Sequence, residues 1–165
     1  MAKNVKQSDE KTNVMRLLDG KKIKYKSYCY LDSGVVSGME VAKVLHQNPA
    51  QVFKTLVTVG KSNTNYVFVI PVGRELDLKK AAAAVSEKKI EMVKSKDLLG
   101  LTGYIHGGCS PVGMKKAFRT VFDESMKQLD TVIFSGGKVG YQVELAPADL
   151  QKIIRFEYAD LTEET

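Results

Sequence analysis

The sequence is poor in the side chains that build metal centres and nucleophilic dyads. Its 165 residues include two histidines, His46 and His106, and two cysteines, Cys29 and Cys109. The cysteines form no C-x-x-C pair and the histidines are far apart, so the spacing of a zinc site is missing. No apolar run approaches a membrane span, the longest being residues 67–72 and 81–85. The opening M-A-K-N-V-K-Q-S-D-E-K is polar and lacks the apolar core of a signal peptide. These gaps lead to the expectation of a cytoplasmic protein with reduced thiols, no metal, no cofactor and no membrane contact. There is also no internal repeat and no low-complexity linker. With 44% hydrophobic residues, the chain suits one well-buried domain over 1–165.

Arginine is scarce too. Of the 25 basic residues, 21 are lysines, a balance suited to neutralising phosphates rather than to bidentate reading of bases. The net charge of +6 is uneven. Residues 157–165 hold four acids and no base, a short acidic tail. Setting those four aside leaves 15 acids against 25 bases, +10 over residues 1–156. Such a body attracts polyanions, nucleic acid first among them. A lysine-rich solvated surface explains the same numbers.

Familiar catalytic templates are missing. Gly108 and Gly113 have the gap of a phosphate-binding loop, but Met114 precedes Lys115 and no Ser or Thr follows to hold magnesium. Residues 135–140 lack the G-x-G-x-x-G spacing, and no G-x-S-x-G elbow occurs. Cys109 lies near His106 in sequence, yet a nucleophile's partner is adjacent in space rather than in sequence. Cys109 therefore reads first as a small buried residue.

What is present centres on residues 52–59, V-F-K-T-L-V-T-V. Beta-branched and aromatic residues make it a strand. Phe53, Thr55, Val57 and Val59 face one way, and Lys54, Leu56 and Thr58 the other. Both faces are largely apolar, the pattern of a strand covered on both sides. Lys54 either reaches water from the strand end or sits in a polar cavity.

Around this strand the spacing predicts a helix over 9–19, with Ser8 or Asp9 as cap and Gly20 as stop. Strand 22–30 follows, then a helix from the capping-box stretch Ser37–Glu40 to about 46. A helical turn is expected at 48–51, with Pro49 at its favoured first position. A hairpin loop over 60–65 leads to strand 66–72. Further on come a helix from Asp77 to about 85, a strand over 89–93 and a single helical turn over 95–99. Residues 100–113 hold five glycines and read as irregular. Strands 119–123, 131–135 and 141–145, a helix over 147–154 and a strand at 156–158 complete the pattern. It points to a mixed α/β domain, a mixed sheet with flanking helices, rather than a doubly wound fold.

Four stretches, V-F-K-T-L-V, L-D-L-K-K-A, T-G-Y-I-H-G-G-C-S-P-V-G and V-I-F-S-G-G-K-V-G-Y-Q-V-E-L, together resemble the YbaK/EbsC family. That family contains free-standing Cys-tRNA(Pro) deacylases related to the editing insertion of bacterial prolyl-tRNA synthetases. The resemblance runs from about residue 14 to 161. It implies a mixed α/β fold with a partly open, barrel-like sheet. It also implies removal of misattached amino acid from the acceptor end of aminoacyl-tRNA, by hydrolytic or lyase-type chemistry. Prolyl-tRNA synthetase is then a candidate partner, and DNA is not.

By position, the resemblance makes Lys54 the active-site lysine, with Thr55 beside it and Tyr30 lining the pocket. Gly107, Gly108, Cys109, Ser110 and Pro111 form the loop that meets the aminoacyl ester, and Ser135, Gly136 and Gly137 form a second pocket loop. Gln142 stands where the family's Cys deacylases carry aspartate, and Cys109 where an aliphatic residue is usual. The implied route uses the substrate's own thiol to attack its ester, with Lys54 and the glycine loop as positioning and electrostatic groups. Two other functions remain open: a non-catalytic tRNA- or synthetase-binding regulatory module, and a deacylase for alanine or proline.

Overall fold

The computed structural model describes residues 11–164. Helix α1 is Asn13–Gly20, capped by Thr12, whose hydroxyl accepts from the Met15 N–H. The expected caps Ser8 and Asp9 lie outside the described residues. Strand β1 is Lys26–Cys29, shorter than expected, and α2 is Gly38–Val44. Ser37 caps α2 through the Glu40 N–H, as the capping-box spacing predicts. Residues 49–51 form a turn rather than a helical segment.

The chain then enters β2, Phe53–Gly60, and returns as β3, Asn65–Pro71, in an antiparallel hairpin. Helix α3, Leu78–Ala84, starts at Asp77, whose carboxylate accepts from the N–H groups of Lys79 and Lys80. Strand β4 is Ile90–Met92 and helix α4 is Ser95–Thr102. This helix runs one turn past the expected five residues, because it absorbs Gly100 and stops at Gly103, where φ is +85°. Strands β5, Arg119–Asp123, β6, Val132–Ser135, and β7, Tyr141–Leu145, follow the sequence pattern closely. Helix α5 is the short Pro147–Leu150, and β8 is Glu157–Ala159.

Eight strands make two sheets among the described residues. One has the order β4-β2-β3-β5-β8, with β3, β5 and β8 parallel; the other is antiparallel, β1-β7-β6. A parallel bridge between Val52 and Ile133 joins them, supported by the Ile133 N–H on the Gln51 carbonyl. The result is a mixed α/β architecture of two joined sheets with flanking helices, the class that the sequence pattern predicts.

The alternation along β2 holds. Phe53 and Val57 enter the main core with Val67, Val69, Phe122, Phe134 and Val143. Leu56 packs on the other side, against the core of Tyr66, Phe68, Ile70, Ala81, Ala82, Val85 and Leu161. Burying these aliphatic and aromatic side chains stabilises the fold by about 1.5–3 kcal/mol each. The acidic carboxy-terminal stretch is part of this construction and not an appendage. Glu157 makes a bidentate pair with Arg119 at 2.7 and 2.9 Å, and Asp160 pairs with Lys80 at 3.1 Å. The Leu161 N–H donates to the Asp123 carboxylate at 3.0 Å. The charge imbalance read along the chain is thus partly closed in space.

Candidate active site

A cavity of about 470 Å³ opens at the amino-terminal end of β2. Strand β2 contributes Phe53 to Val57, and the start of α2 brings Ser37, Gly38 and Val41. Met92, Val93, Ser95 and Leu98 come from β4 and α4, and Phe134 and Ser135 from the end of β6. This is the size and mostly apolar character of a small-molecule pocket.

Seven residues singled out from the sequence line this cavity: Tyr30, Lys54, Thr55, Gly107, Cys109, Ser135 and Gln142. They come from five separate stretches of chain. Lys54 keeps its side chain 32% exposed, with the Glu75 carboxylate 3.8 Å away and itself 76% exposed. An exposed pair at that distance is worth little, so the ammonium remains a source of positive potential for the cavity. Lys54 therefore occupies a cavity wall rather than extending freely into water. Next to it, the Thr55 hydroxyl oxygen is buried and makes no hydrogen bond within the described structure. Buried hydroxyls are normally paired, and this one is an exception.

Tyr30 is buried and follows β1, its N–H bonded to the Gly140 carbonyl at 2.8 Å; burial pushes its hydroxyl pKa up. Cys109 is buried as well, and desolvation pushes its thiol up to about 12. A thiol held that far from ionisation is a poor nucleophile near neutral pH. Gln142 is 5% exposed, and its amide oxygen accepts from Gln47 Nε2 at 2.8 Å.

Gly108, Ser110, Pro111, Gly136 and Gly137 do not line the cavity. They build the two loops instead. The Gly108 N–H donates to the Ile105 carbonyl, and a side chain there would meet the Val139 backbone at 3.0 Å. Ser110 is fully buried, with its hydroxyl accepting from the Val112 N–H, and Pro111 is buried beside it. The N–H of Gly136 is spent on Tyr141, and that of Gly137 on the Ser135 hydroxyl. Gly137 also has φ of +94°, with Val14 2.7 Å from where a Cβ would lie. The expectation that the whole glycine loop offers N–H donors to the ester therefore narrows to Gly107 and Cys109, the loop residues that line the cavity. Tyr104 pins both loops: its hydroxyl donates to the Val112 carbonyl at 2.5 Å and its ring flanks Gly137.

Sequence reasoning did not pick out Gln47, His106 or the apolar lining of α2 and α4. Gln47 sits on a loop with no motif, and its pairing with a strand 95 positions away leaves no local signal. Val36 and Met92, exposed apolar residues in the lining, are the only trace the lip leaves in the chain. Among the described residues no group of three or more His, Cys, Asp or Glu side chains could hold a metal ion, and no helix is long and apolar enough to cross a membrane.

Comparison with known proteins gives concordant results. The aminoacyl-tRNA editing domain model matches residues 33–153. The chain is 45% identical over 158 residues to EbsC of Enterococcus faecalis, which is named a Cys-tRNA(Pro)/Cys-tRNA(Cys) deacylase. That match covers 95% of this chain and 96% of EbsC. A proline–tRNA ligase of Kosmotoga olearia is 31% identical over 109 residues, 66% of this chain but 18% of the ligase. In fold, a solved structure described as a trans-editing enzyme for prolyl-tRNA synthetase superimposes with a TM-score of 0.79 at 24% identity, covering 94% of this chain and all of that one.

Proposed function

This chain belongs to the aminoacyl-tRNA editing domain family, and from that premise we propose that it is a trans-editing deacylase that removes cysteine from mischarged Cys-tRNA(Pro), with Cys-tRNA(Cys) as a second substrate. The observation that carries the reading is a cavity that Lys54 and Thr55 both line, without an activated protein nucleophile beside them.

The chemistry follows from that deficit. The cysteinyl thiol attacks its own ester carbonyl, an S–C bond forms, the C–O bond to the ribose breaks, and the departing ribose oxygen takes up the proton. A free thiol titrates at about 8.5, so the field of Lys54 raises its thiolate fraction near neutral pH. The Thr55 hydroxyl and the Gly107 N–H then face the carbonyl oxygen as negative charge develops on it. Lysines on the surface hold the acceptor stem by its phosphates, without reading sequence. The kinship with part of a proline–tRNA ligase supports a functional link to that synthetase.

A panel of tRNA(Pro) charged with cysteine, alanine or proline, together with Cys-tRNA(Cys), tests the assignment. Release of cysteine should be fastest. Faster release of alanine would reassign the amino acid, and binding without release from any of them would make the protein a non-catalytic module.

A further inference from the structure

The cavity holds one permanent positive side chain and no negative one. Lys54 is in its wall, and none of the described residues lining it is an aspartate or glutamate. Two carboxylates come near without joining the lining. Glu75 approaches Lys54 from solvent. Glu144, on β7 two residues beyond Gln142, is taken by the hydroxyls of Tyr28 and Thr131 and by Gln51 Nε2. Nor do the other ionisable lining groups supply an anion. Burial holds Tyr30 and Cys109 in their protonated forms.

Gln142 is a buried amide of this wall, and it is uncharged. Gln47 Nε2 donates to its oxygen at 2.8 Å, while the return contact from Gln142 Nε2 to the Gln47 oxygen is longer, at 3.4 Å. The amide is thus fixed by one good bond, leaving a lone pair and an N–H for a ligand. It stands opposite Ser135 in the β6–β7 register, and both line the cavity.

An aminoacyl ester carries its α-amino group one carbon from the reacting carbonyl, so the group must enter the same cavity. As an ammonium it would meet apolar walls and the Lys54 charge, and both disfavour the charged form. The free base is accessible, since an α-amino group titrates at about 7.7–8.0 and roughly one molecule in seven is neutral at pH 7. We infer that this pocket receives the α-amino group of its substrate uncharged, at the Gln142 amide that Gln47 holds in place, so that N-acylated aminoacyl esters are ligands of the same site. Gln142 is then a specificity-determining residue, able to exchange hydrogen bonds with a neutral amine or amide but unable to offset an ammonium. The inference rests on the deacylase reading above.

Two stable analogues test it: 3′-cysteinylamino-3′-deoxyadenosine and its N-acetylcysteinyl counterpart. Their affinities are measured by calorimetry at neutral pH for the wild-type protein and for Gln142→Glu, with cleavage of Cys-tRNA(Pro) followed in parallel. The wild-type protein should bind the N-acetyl analogue at least as tightly as the free amine at neutral pH, because only the amine must first lose a proton. Gln142→Glu should favour the free amine by about tenfold or more, since a partly buried carboxylate now faces it. A wild-type preference for the free amine of about threefold or more, or binding of neither analogue, overturns the inference without reference to the variant. Cleavage of Cys-tRNA(Pro) separates the two levels. Cleavage combined with ammonium preference sinks this inference alone, while absence of cleavage sinks the deacylase reading.

Discussion

Thr55 and Thr58 lie on the same strand, β2, and face opposite ways. Thr58 is fully buried, and its hydroxyl donates to the Tyr66 carbonyl at 2.9 Å. Thr55 has a buried hydroxyl oxygen with no hydrogen bond among the described residues. One end of the strand satisfies its polar groups within the fold, while the other carries Lys54 and Thr55, the residues proposed to act on the substrate. A buried hydroxyl without a partner destabilises by about 1–3 kcal/mol, so the fold bears a standing cost at the cavity end. On the proposed function, stability and catalysis divide along a single strand.

The sharpest way to break that division is at Lys54. Replacement by alanine should lower deacylation by about 10²–10³-fold, the usual effect of removing one preorganised electrostatic group, while thermal unfolding barely moves. Lys54→Arg should fail almost as badly, because a planar fork does not replace a compact ammonium. Single-turnover kinetics on purified Cys-tRNA(Pro), alongside a melting curve, reads both.

Thr55→Val should separate the two properties in opposite directions. Activity falls about tenfold, the share of one hydrogen bond to the developing oxyanion. Stability rises, because the unpaired hydroxyl is gone, by about 2–4 °C for each kcal/mol recovered. A drop in melting temperature would show that Thr55 has a structural partner after all. Thr58→Val is the mirror experiment. It should cost about 1 kcal/mol of stability by denaturant titration and leave the rate within about twofold. Cys109→Ala should do least to catalysis, again within about twofold, since a thiol held near 12 has no part in the chemistry. In the wild-type protein the half-buried Cys29 should be alkylated before Cys109.

The same contrast explains what the chain reveals by itself. Where a residue's neighbours in sequence decide its fate, the pattern is plain. The alternation of β2, the caps Ser37 and Asp77, and strands β5 and β7 all come from local periodicity or local hydrogen bonding. Helix α4 outruns its pattern because the cost of one glycine in a helix, about 1 kcal/mol, is outweighed by packing of Leu98 and Thr102. Lys54, Thr55, Tyr30, Gly107, Cys109, Ser135 and Gln142, which the resemblance marks in the chain, line one cavity from separate segments. Composition cannot say which side of a loop meets a ligand. Gly108, Gly136 and Gly137 carry the residue type of an anion cradle, yet their N–H groups close the loops themselves. Gln47 belongs to no pattern, and it acquires meaning only when folding brings Gln142 against it.

The central claim is that the protein positions and polarises an ester that the substrate's own thiol attacks. It is tested most directly by comparing single-turnover deacylation of cysteinyl-tRNA(Pro) and seryl-tRNA(Pro) at the same pH. The two esters differ in one atom, sulfur against oxygen, and a hydroxyl is far less ionised than a thiol of pKa about 8.5. The account predicts that the seryl ester is cleaved slower by about 10²-fold or more, with similar binding of the two tRNAs. Equal rates would contradict it and assign the attack to water or to a protein group.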